Sequence, residues 1–440
     1  MQLKTQNSKL KTDSRTVSYL IGSYSTDLMG NGHHEEVIQA VRAQGVAVEV
    51  LTLVAQRGAP ALEHQEIHGI PVWQINALAG RGPLAGLGRR ASARLFHYEH
   101  FLSLVRALRR FYAQTPYSLI HAEAAYPFGA AAILAARGRA LPVIVNIQGA
   151  DVIALPAHDY GFRRFLLPRR LVGYTLRQAA LVRVISPHLA GYVTALGADA
   201  GRVITVPRAI ERLAYPPADQ PLPAYRAAAR ATLLARYGLD ATQEAGRGWV
   251  MFVGRLHPFK GLEYLVEALP ALNAALAAQG AAGGPRLWLC GPARDTEHYG
   301  DFAAHLRRRA ASLGVADQLT FTGQLPRPEV REHLAAADVV CIPSVVEAMN
   351  RVTLEATVVG TPVVVSESTG IAAYLAPLGA CVAVPPQSPA ALAEAIGRLL
   401  HDPAYHAQVA AAALQAARGF ATDRVAAEML RLYARVGAGG

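Results

Sequence analysis

The sequence predicts an α/β protein of two doubly wound domains, each a parallel sheet clothed in helices, with the two sheets facing one another across a cleft. Three observations predict it. At 440 residues the chain is long enough for two cores of ordinary size. Short β-branched runs alternate with longer alanine- and leucine-rich segments, the rhythm of strands and crossover helices in parallel sheets covered on both faces. That rhythm breaks once, between about Pro207 and Arg247, where Pro207, Pro216, Pro217, Pro221 and Pro223 precede a short helical piece and a Gly/Gln/Glu patch.

The elements follow in order. Residues 1–16 are polar and lysine-rich with no apolar core, so they are expected to be a tail and not a signal peptide. The first domain, 17–207, has strand candidates at Ser18–Ser23, Ala47–Leu53, Leu119–Ala122, Val143–Ile147 and Leu181–Ile185. Residues 208–246 are read as a linker. The second domain, 247–401, has candidates at Trp249–Val253, Arg286–Cys290, Leu319–Thr322, Val339–Ile342, Pro362–Val365 and Cys381–Val384. The alanine-rich end, 402–440, reads as helices that pack back across the junction. Ser368 to Ala393 is uncharged, but glycines and prolines break it into strand and turn pieces, so no membrane span is expected.

Apolar residues make up 52% and charged residues 17%, which excludes a disordered chain. A formal net charge of +11, dominated by arginine, implies acidic partners: phosphates, anionic lipid headgroups or nucleic acid. Nucleic acid is set aside, because there is no zinc-finger or RNP-like signature. The three cysteines, Cys290, Cys341 and Cys381, each sit in an apolar strand-like run, which fits buried free thiols and a reducing cytosol.

Residues 344–367 read SVVEAMNRVTLEATVVGTPVVVSE. Pro343 and Ser344 end a buried strand, and Gly360, Thr361 and Pro362 end the helix that follows, which places the helix start near Asn350. Were Glu347–Glu355 all helical, the two carboxylates would differ by about 80° in direction and about 12 Å in height. With Glu347 on the loop and Glu355 inside the helix, both are expected to reach one cleft. The N–H groups of Met349, Asn350, Arg351, Val352 and Thr353 then form a helix N-terminus suited to a phosphate. Carboxylates are strong acceptors for hydroxyls, so Glu347 is assigned to a transferred sugar and Glu355 to a nucleotide ribose. Taken alone, the pair also fits a helix cap and a solvated helix-surface acid.

Residues 250–262, VMFVGRLHPFKGL, run from a strand through a turn to a helix. Arg255 offers a planar fork of donors and Lys260 a compact charge for phosphate oxygens, while Gly254 and Gly261 let the backbone come close. In the first domain, IGSYSTDLMGNGHHEE at 21–36 puts Gly30, Asn31 and Gly32 in a loop before a helix beginning near His33. The run His33, His34, Glu35, Glu36 cannot converge on one ion from adjacent helical positions and is read as a solvated helix start.

The pattern S-x-x-E, seven residues, E-A, then G-T-P-V-V resembles the signature of retaining GT-B glycosyltransferases of family 4, the "group 1" transferases. The resemblance spans most of the chain and is strongest from Val250 to Val384. It implies the GT-B fold of two Rossmann-like domains. It also implies transfer of a hexose-type sugar from a nucleotide-diphosphate donor, such as a UDP- or GDP-sugar, to a glycan or lipid-linked acceptor of the cell envelope, with retention at the anomeric carbon. Arg255 and Lys260 would meet the charge on the departing phosphate without a metal, and no D-x-D for a divalent ion is seen. Gly291 would allow close approach of the nucleotide, backbone groups near Leu325 would read the base, and the loop Gly30, Asn31, Gly32 would face donor phosphates and acceptor.

Departures from the family pattern are also visible. Where the family has H-G-x-D, with the His reaching the sugar, this chain has Gln148, Gly149 and Asp151. Gln148 can exchange hydrogen bonds with a hydroxyl but cannot titrate. Asp151 faces the acceptor or caps a helix. The usual G-F-G is Ala348, Met349, Asn350, and the usual N-G-x-D is Arg208, Ala209, Ile210, Glu211. These departures leave open a non-catalytic sugar-nucleotide or glycan binder. A sugar-nucleotide epimerase on the same fold is a third reading. Two basic, partly apolar segments, at 80–101 and 162–170, suit either an anionic membrane face or ordinary solvated helices.

Overall fold

A computed structural model describes residues 16–437, apart from 26, 27, 57, 79–84, 159, 282, 294, 297 and 298. The tail read at 1–16 lies outside the described residues except for Thr16, which opens the first strand.

The first sheet has eight strands: β1 (Thr16–Ile21), β2 (Ala47–Val54), β3 (Leu62–Ile67), β4 (Ile70–Asn76), β5 (Leu119–Glu123), β6 (Val143–Ile147), β7 (Leu181–Val184) and β8 (Val203–Thr205). Their order is β3-β4-β2-β1-β5-β6-β7-β8. All neighbours are parallel except the β3–β4 hairpin. The second sheet is built from β9 (Trp249–Val253), β10 (Arg286–Cys290), β13 (Leu319–Gly323), β14 (Val339–Ile342), β15 (Val363–Ser366) and β16 (Val382–Val384). A two-stranded ribbon, β11 (Asp295–Thr296) with β12 (Gly300–Asp301), lies between β10 and β13 in the chain. The order β13-β10-β9-β14-β15-β16 is wholly parallel.

Strands β3, β4 and β8 and the β11–β12 ribbon were not expected. β3 reads LEHQEI and is mostly exposed at the sheet edge, so it lacks the β-branched run that marks a buried strand. Its partner is reached through a two-residue turn in which His68 and Gly69 have φ of 48° and 79°, the left-handed geometry of a tight hairpin. β8 is only three residues long.

Each sheet has one point where strand order reverses: β1 lies between β2 and β5, and β9 between β10 and β14. Ligands of open parallel sheets bind beyond the carboxyl ends of strands at such points. Gly254 and Arg255 follow β9, Ser344 follows β14, and Gln148 follows β6, so chain order brings these residues to the facing edges of the sheets.

The segment 208–246 contains helix Leu222–Arg236, which packs on the second domain. Its Arg226 donates to the carbonyls of Val359 and Ala337, at 3.0 and 2.8 Å, and Arg230 pairs with Asp338 at 2.8 Å. Helix Thr422–Gly437 lies against helix Leu28–Ala43 of the first domain, burying Val425, Met429, Leu432 and Tyr433 beside Val17, Tyr19 and Ile38. Each fully buried apolar side chain there contributes about 1.5–3 kcal/mol. Cys290, Cys341 and Cys381 are buried free thiols, and among the described residues no helix is long and apolar enough to cross a membrane.

Candidate active site

The facing edges line a cleft of about 220 Å3, partly open to solvent. From the second domain it is lined by Gly254, Arg255, Lys260, Glu347, Met349, Asn350, Arg351 and Val352, and from the first by Gln148, Tyr160, Ile185 and Arg208.

The cationic turn is built by its glycines. Pro258–Lys260 form a single 3-10 turn, and Gly261 joins it to helix Leu262–Ala278 with φ 71°. A Cβ at Gly261 would stand 2.0 Å from the Pro343 carbonyl oxygen, and one at Gly291 equally close to that of Gly254. Only glycine lets these loops pack backbone to backbone. Arg255 is exposed, its guanidinium 6.0 Å from the Phe259 ring, and among the described residues no carboxylate lies within ion-pair range of it.

Lys260 reaches Glu347 Oε1 at 2.7 Å. Glu347 Oε2 accepts from Ser344 Oγ at 2.9 Å and from Asn350 Nδ2 at 3.0 Å. Burial alone would raise the Glu347 pKa. The Lys260 ammonium and these hydrogen bonds outweigh it, holding the carboxyl below the usual carboxylate range. Asn350, at φ 81°, caps helix Arg351–Val358 by accepting from the Thr353 amide at 2.8 Å. Thr353 N–H is thus occupied, and the N–H groups of Arg351 and Val352 remain at the cleft end of the helix.

The two glutamates do not converge. Glu355 is not among the residues lining this cleft and lies 3.4 Å from Arg327. Burial raises its pKa against Arg327 and Arg351, and the neighbouring Glu211 adds to the rise. Glu211 is the centre of this cluster. It bonds Arg327, accepts from Arg351 at 2.9 Å, and lies 3.6 Å from His33.

Other expected residues lie elsewhere. Asp151 does not reach the cleft: it is 2% exposed, and its oxygens accept from the amides of Ala125 at 2.6 Å and Gly149 at 2.8 Å. Desolvation raises its pKa in spite of these bonds, and its role is to hold the loop after β6. Gly30, Asn31 and Gly32 are not in a loop before a helix, because that helix begins at Leu28. The early start also overturns the solvated reading of 33–36. Glu35 is buried, and the side chains of His33 and His34 are 9% and 11% exposed. Gly291 and the half-buried Leu325 are outside the cleft lining.

Six residues of the lining were missed: Tyr160, Ile185, Arg208, Val253, Phe259 and Ala348. The Tyr160 phenol is pushed up to about 12, first by burial and then by Glu347 and Asp151. Arg208 is pulled down to about 10 by burial and by Arg351. Its Nε is buried without a partner. Arg208 and Glu211 both fall where the family pattern is broken, and that break is the signal that could have found them. Among the described residues no group of three or more His, Cys, Asp or Glu side chains is placed to hold a metal.

Comparison with known proteins agrees with this geometry. The description "Glycosyl transferases group 1" matches residues 247–402, and "Glycosyl transferase 4-like domain" matches 33–209. A D-inositol 3-phosphate glycosyltransferase of Stackebrandtia nassauensis is 30% identical over 421 residues, covering 91% of this chain and 86% of that protein. Relatives of the same name from Salinispora tropica and Kineococcus radiotolerans, at 34% and 32% identity, are matched over only 41% and 53% of their own lengths. Sucrose-phosphate synthase of Thermosynechococcus elongatus superposes with a TM-score of 0.71 at 24% identity, covering 97% of this chain and 100% of that one. Anabaena HepE, solved with UDP-glucose, gives 0.66 at 20% identity over 94% and 99%. The fold is GT-B, and the chain belongs to the group 1 glycosyltransferases.

Proposed function

We propose that the protein transfers a hexose-type sugar from a nucleotide diphosphate to an acceptor hydroxyl, with retention at the anomeric carbon and without a metal. The observation that carries the reading is the convergence of Arg255, Lys260 and the amides of Arg351 and Val352 on one cleft, beside a carboxylate held ionised. Charge builds on the leaving diphosphate as the glycosidic bond breaks. Fixed cations and helix amides that meet it lower the barrier. Glu347 accepts from hydroxyls of the sugar, and Lys260 turns from Glu347 to the phosphate when the donor arrives. Glu355 serves the ribose only if Arg327 yields it. Closure of the domains excludes water and limits donor hydrolysis.

On the acceptor side, Arg208 adds a cation that no carboxylate among the described residues pairs. That favours an acceptor bearing a phosphate or carboxylate, on a polyol, a glycan or a lipid carrier. An anionic membrane would supply a lipid-linked acceptor. The exposed Leu95 and Leu166, with exposed Arg94, Arg164, Arg169 and Arg170, give the first domain an apolar and basic patch suited to the inner face of a cell membrane.

A thermal-shift panel of nucleotides and nucleotide sugars tests the donor. A ligand at 100 times its dissociation constant adds about 2.7 kcal/mol of stability. Transfer should fall at least 100-fold in Lys260→Ala and Glu347→Ala while the fold survives. Turnover unchanged in both would refute the reading, and donor binding with no turnover in the parent would favour a non-catalytic binder.

A further inference from the structure

We propose that Glu211 is a positioning residue that acts on the donor site through Arg351: its carboxylate keeps the Arg351 guanidinium off the diphosphate, so that the phosphates meet the helix amides without a further cation and the spent nucleotide can leave. The inference deepens the donor reading above and rests on it.

Glu211 lies between β8, the last strand of the first sheet, and β9, the first strand of the second. The backbone on either side of it is pinned. Arg212 N–H donates to both carboxylate oxygens of Glu36, at 2.9 and 3.0 Å, and Ile210 N–H donates to the Phe420 carbonyl at 2.9 Å. The side chain is buried and seated on helix Leu28–Ala43 at Gly32, where a Cβ would stand 2.9 Å from Oε2. Oε1 accepts from Arg351 at 2.9 Å, and Oε2 bonds Arg327. Among the described residues these two guanidiniums are the side chains that donate to it. His33 Nδ1 stands 3.6 Å away, but burial holds that ring well below the ordinary histidine range and so neutral. Arg351 approaches the same nitrogen at 3.3 Å, and a guanidinium only donates, so Nδ1 accepts. Arg327 is shared with Glu355 at 3.4 Å, and two carboxylates thus face two guanidiniums.

Arg351 is the first residue of helix Arg351–Val358 and lines the cleft together with Val352. A guanidinium rooted beside those amides suits a phosphate oxygen well. The carboxylate makes the other partner the better one. Were Arg351 to leave, Glu211 Oε1 would be a buried anion without its donor, which is costly. Lys260 is under no such restraint. When it leaves Glu347, that carboxylate keeps Ser344 and Asn350 and gains the sugar hydroxyls. The two cations of the same cleft therefore behave differently: one is free to change partner and the other is held. A cation that grips substrate, transition state and product alike lowers KM without speeding the chemical step. Holding Arg351 back spares the leaving nucleotide that grip.

The test is calorimetric titration of the wild type, Glu211→Gln and the double variant Glu211→Gln/Arg351→Gln with UDP and with uridine, or with GDP and guanosine should the wild type bind only those. Loss of the charge at 211 frees Arg351 for the phosphates. The UDP dissociation constant of Glu211→Gln should fall about 3- to 10-fold, with a matching fall in the UDP dissociation rate in stopped flow. Uridine carries no phosphate and should bind no more tightly. The double variant should return UDP to within about twofold of the wild type. A merely structural role for Glu211 predicts the opposite sign, because a loosened helix start weakens UDP. UDP binding that is unchanged or weaker in Glu211→Gln, uridine tightened alongside UDP, or a gain that survives Arg351→Gln would overturn the proposal. A wild type that binds neither UDP nor GDP would instead sink the donor reading. Should Glu211→Gln not fold, wild-type crystals grown with the nucleotide decide. Arg351 should stay on Glu211, and a guanidinium moved to a phosphate oxygen would contradict the assignment.

Discussion

At the residue scale two of the cleft's charges are stored as a pair. Lys260 and Glu347 neutralise each other, with Ser344 and Asn350 completing the carboxylate. Removing one partner leaves a largely buried charge short of a bond, so Lys260→Met should cost about 1–3 kcal/mol in urea unfolding. The pair also sets a pH dependence. Glu347 is depressed in the folded state, so its contribution is present above the unfolded value of about 4.3 and is lost as pH falls through the folded pKa. In Lys260→Met the acid loss of melting temperature should begin at higher pH than in the wild type. Coincident profiles would mean that the ammonium does not hold the carboxylate. Such pairs were only half legible in the sequence. The residue types at 255, 260 and 347 were readable because chemistry demands them after strands. Which carboxylate meets which cation depends on contacts 87 residues apart for Lys260 and Glu347, and 140 for Arg351 and Glu211. No local pattern carries that information, and so Glu355 was placed in the cleft, whose lining does not include it, when it pairs with Arg327.

At the scale of elements, strand ends and helix starts place the chemistry. Helix Arg351–Val358 is only eight residues long, and its start is fixed by the Asn350 cap. Asn350→Ala should lose the cap at a cost of about 0.5–2 kcal/mol. It should also weaken UDP binding, because the loop that aims the Arg351 and Val352 amides is released. Calorimetric titration with UDP would show whether affinity falls with stability; a stability loss alone would separate the cap from the phosphate site. The start near Asn350 was readable because the downstream G-T-P stop leaves little room for a longer helix. The start at Leu28 was not, because glycines at 30 and 32 read as loop while the helix Leu28–Ala43 runs through both. Buried strands of β-branched residues stood out, whereas the polar edge strand β3 and the three-residue β8 offered neither periodicity nor length.

At the scale of the molecule, the C-terminal helix ties the domains together. The C-terminal helix returns to the first domain, where Tyr433 Oη lies 2.9 Å from His121 Nδ1 and Met429 is buried. Met429→Ala should lower stability by about 2–5 kcal/mol, read as the midpoint of urea unfolding. The surface charge gives a second expectation. With a net charge of +11 and exposed arginines around Leu95 and Leu166, the protein should sediment with phosphatidylglycerol vesicles at low salt. It should release as the screening length falls to about 10 Å near 0.1 M and below it at higher salt. Binding that ignores salt would contradict a role for the arginines. Most directly, the account is tested by a crystal structure of the protein grown with UDP. The diphosphate should lie in the cleft within hydrogen-bond reach of Arg255, Lys260 and the Arg351 and Val352 amides, with Lys260 drawn from Glu347. A nucleotide bound outside the cleft, or phosphates that leave Arg255 and Lys260 untouched, would contradict it.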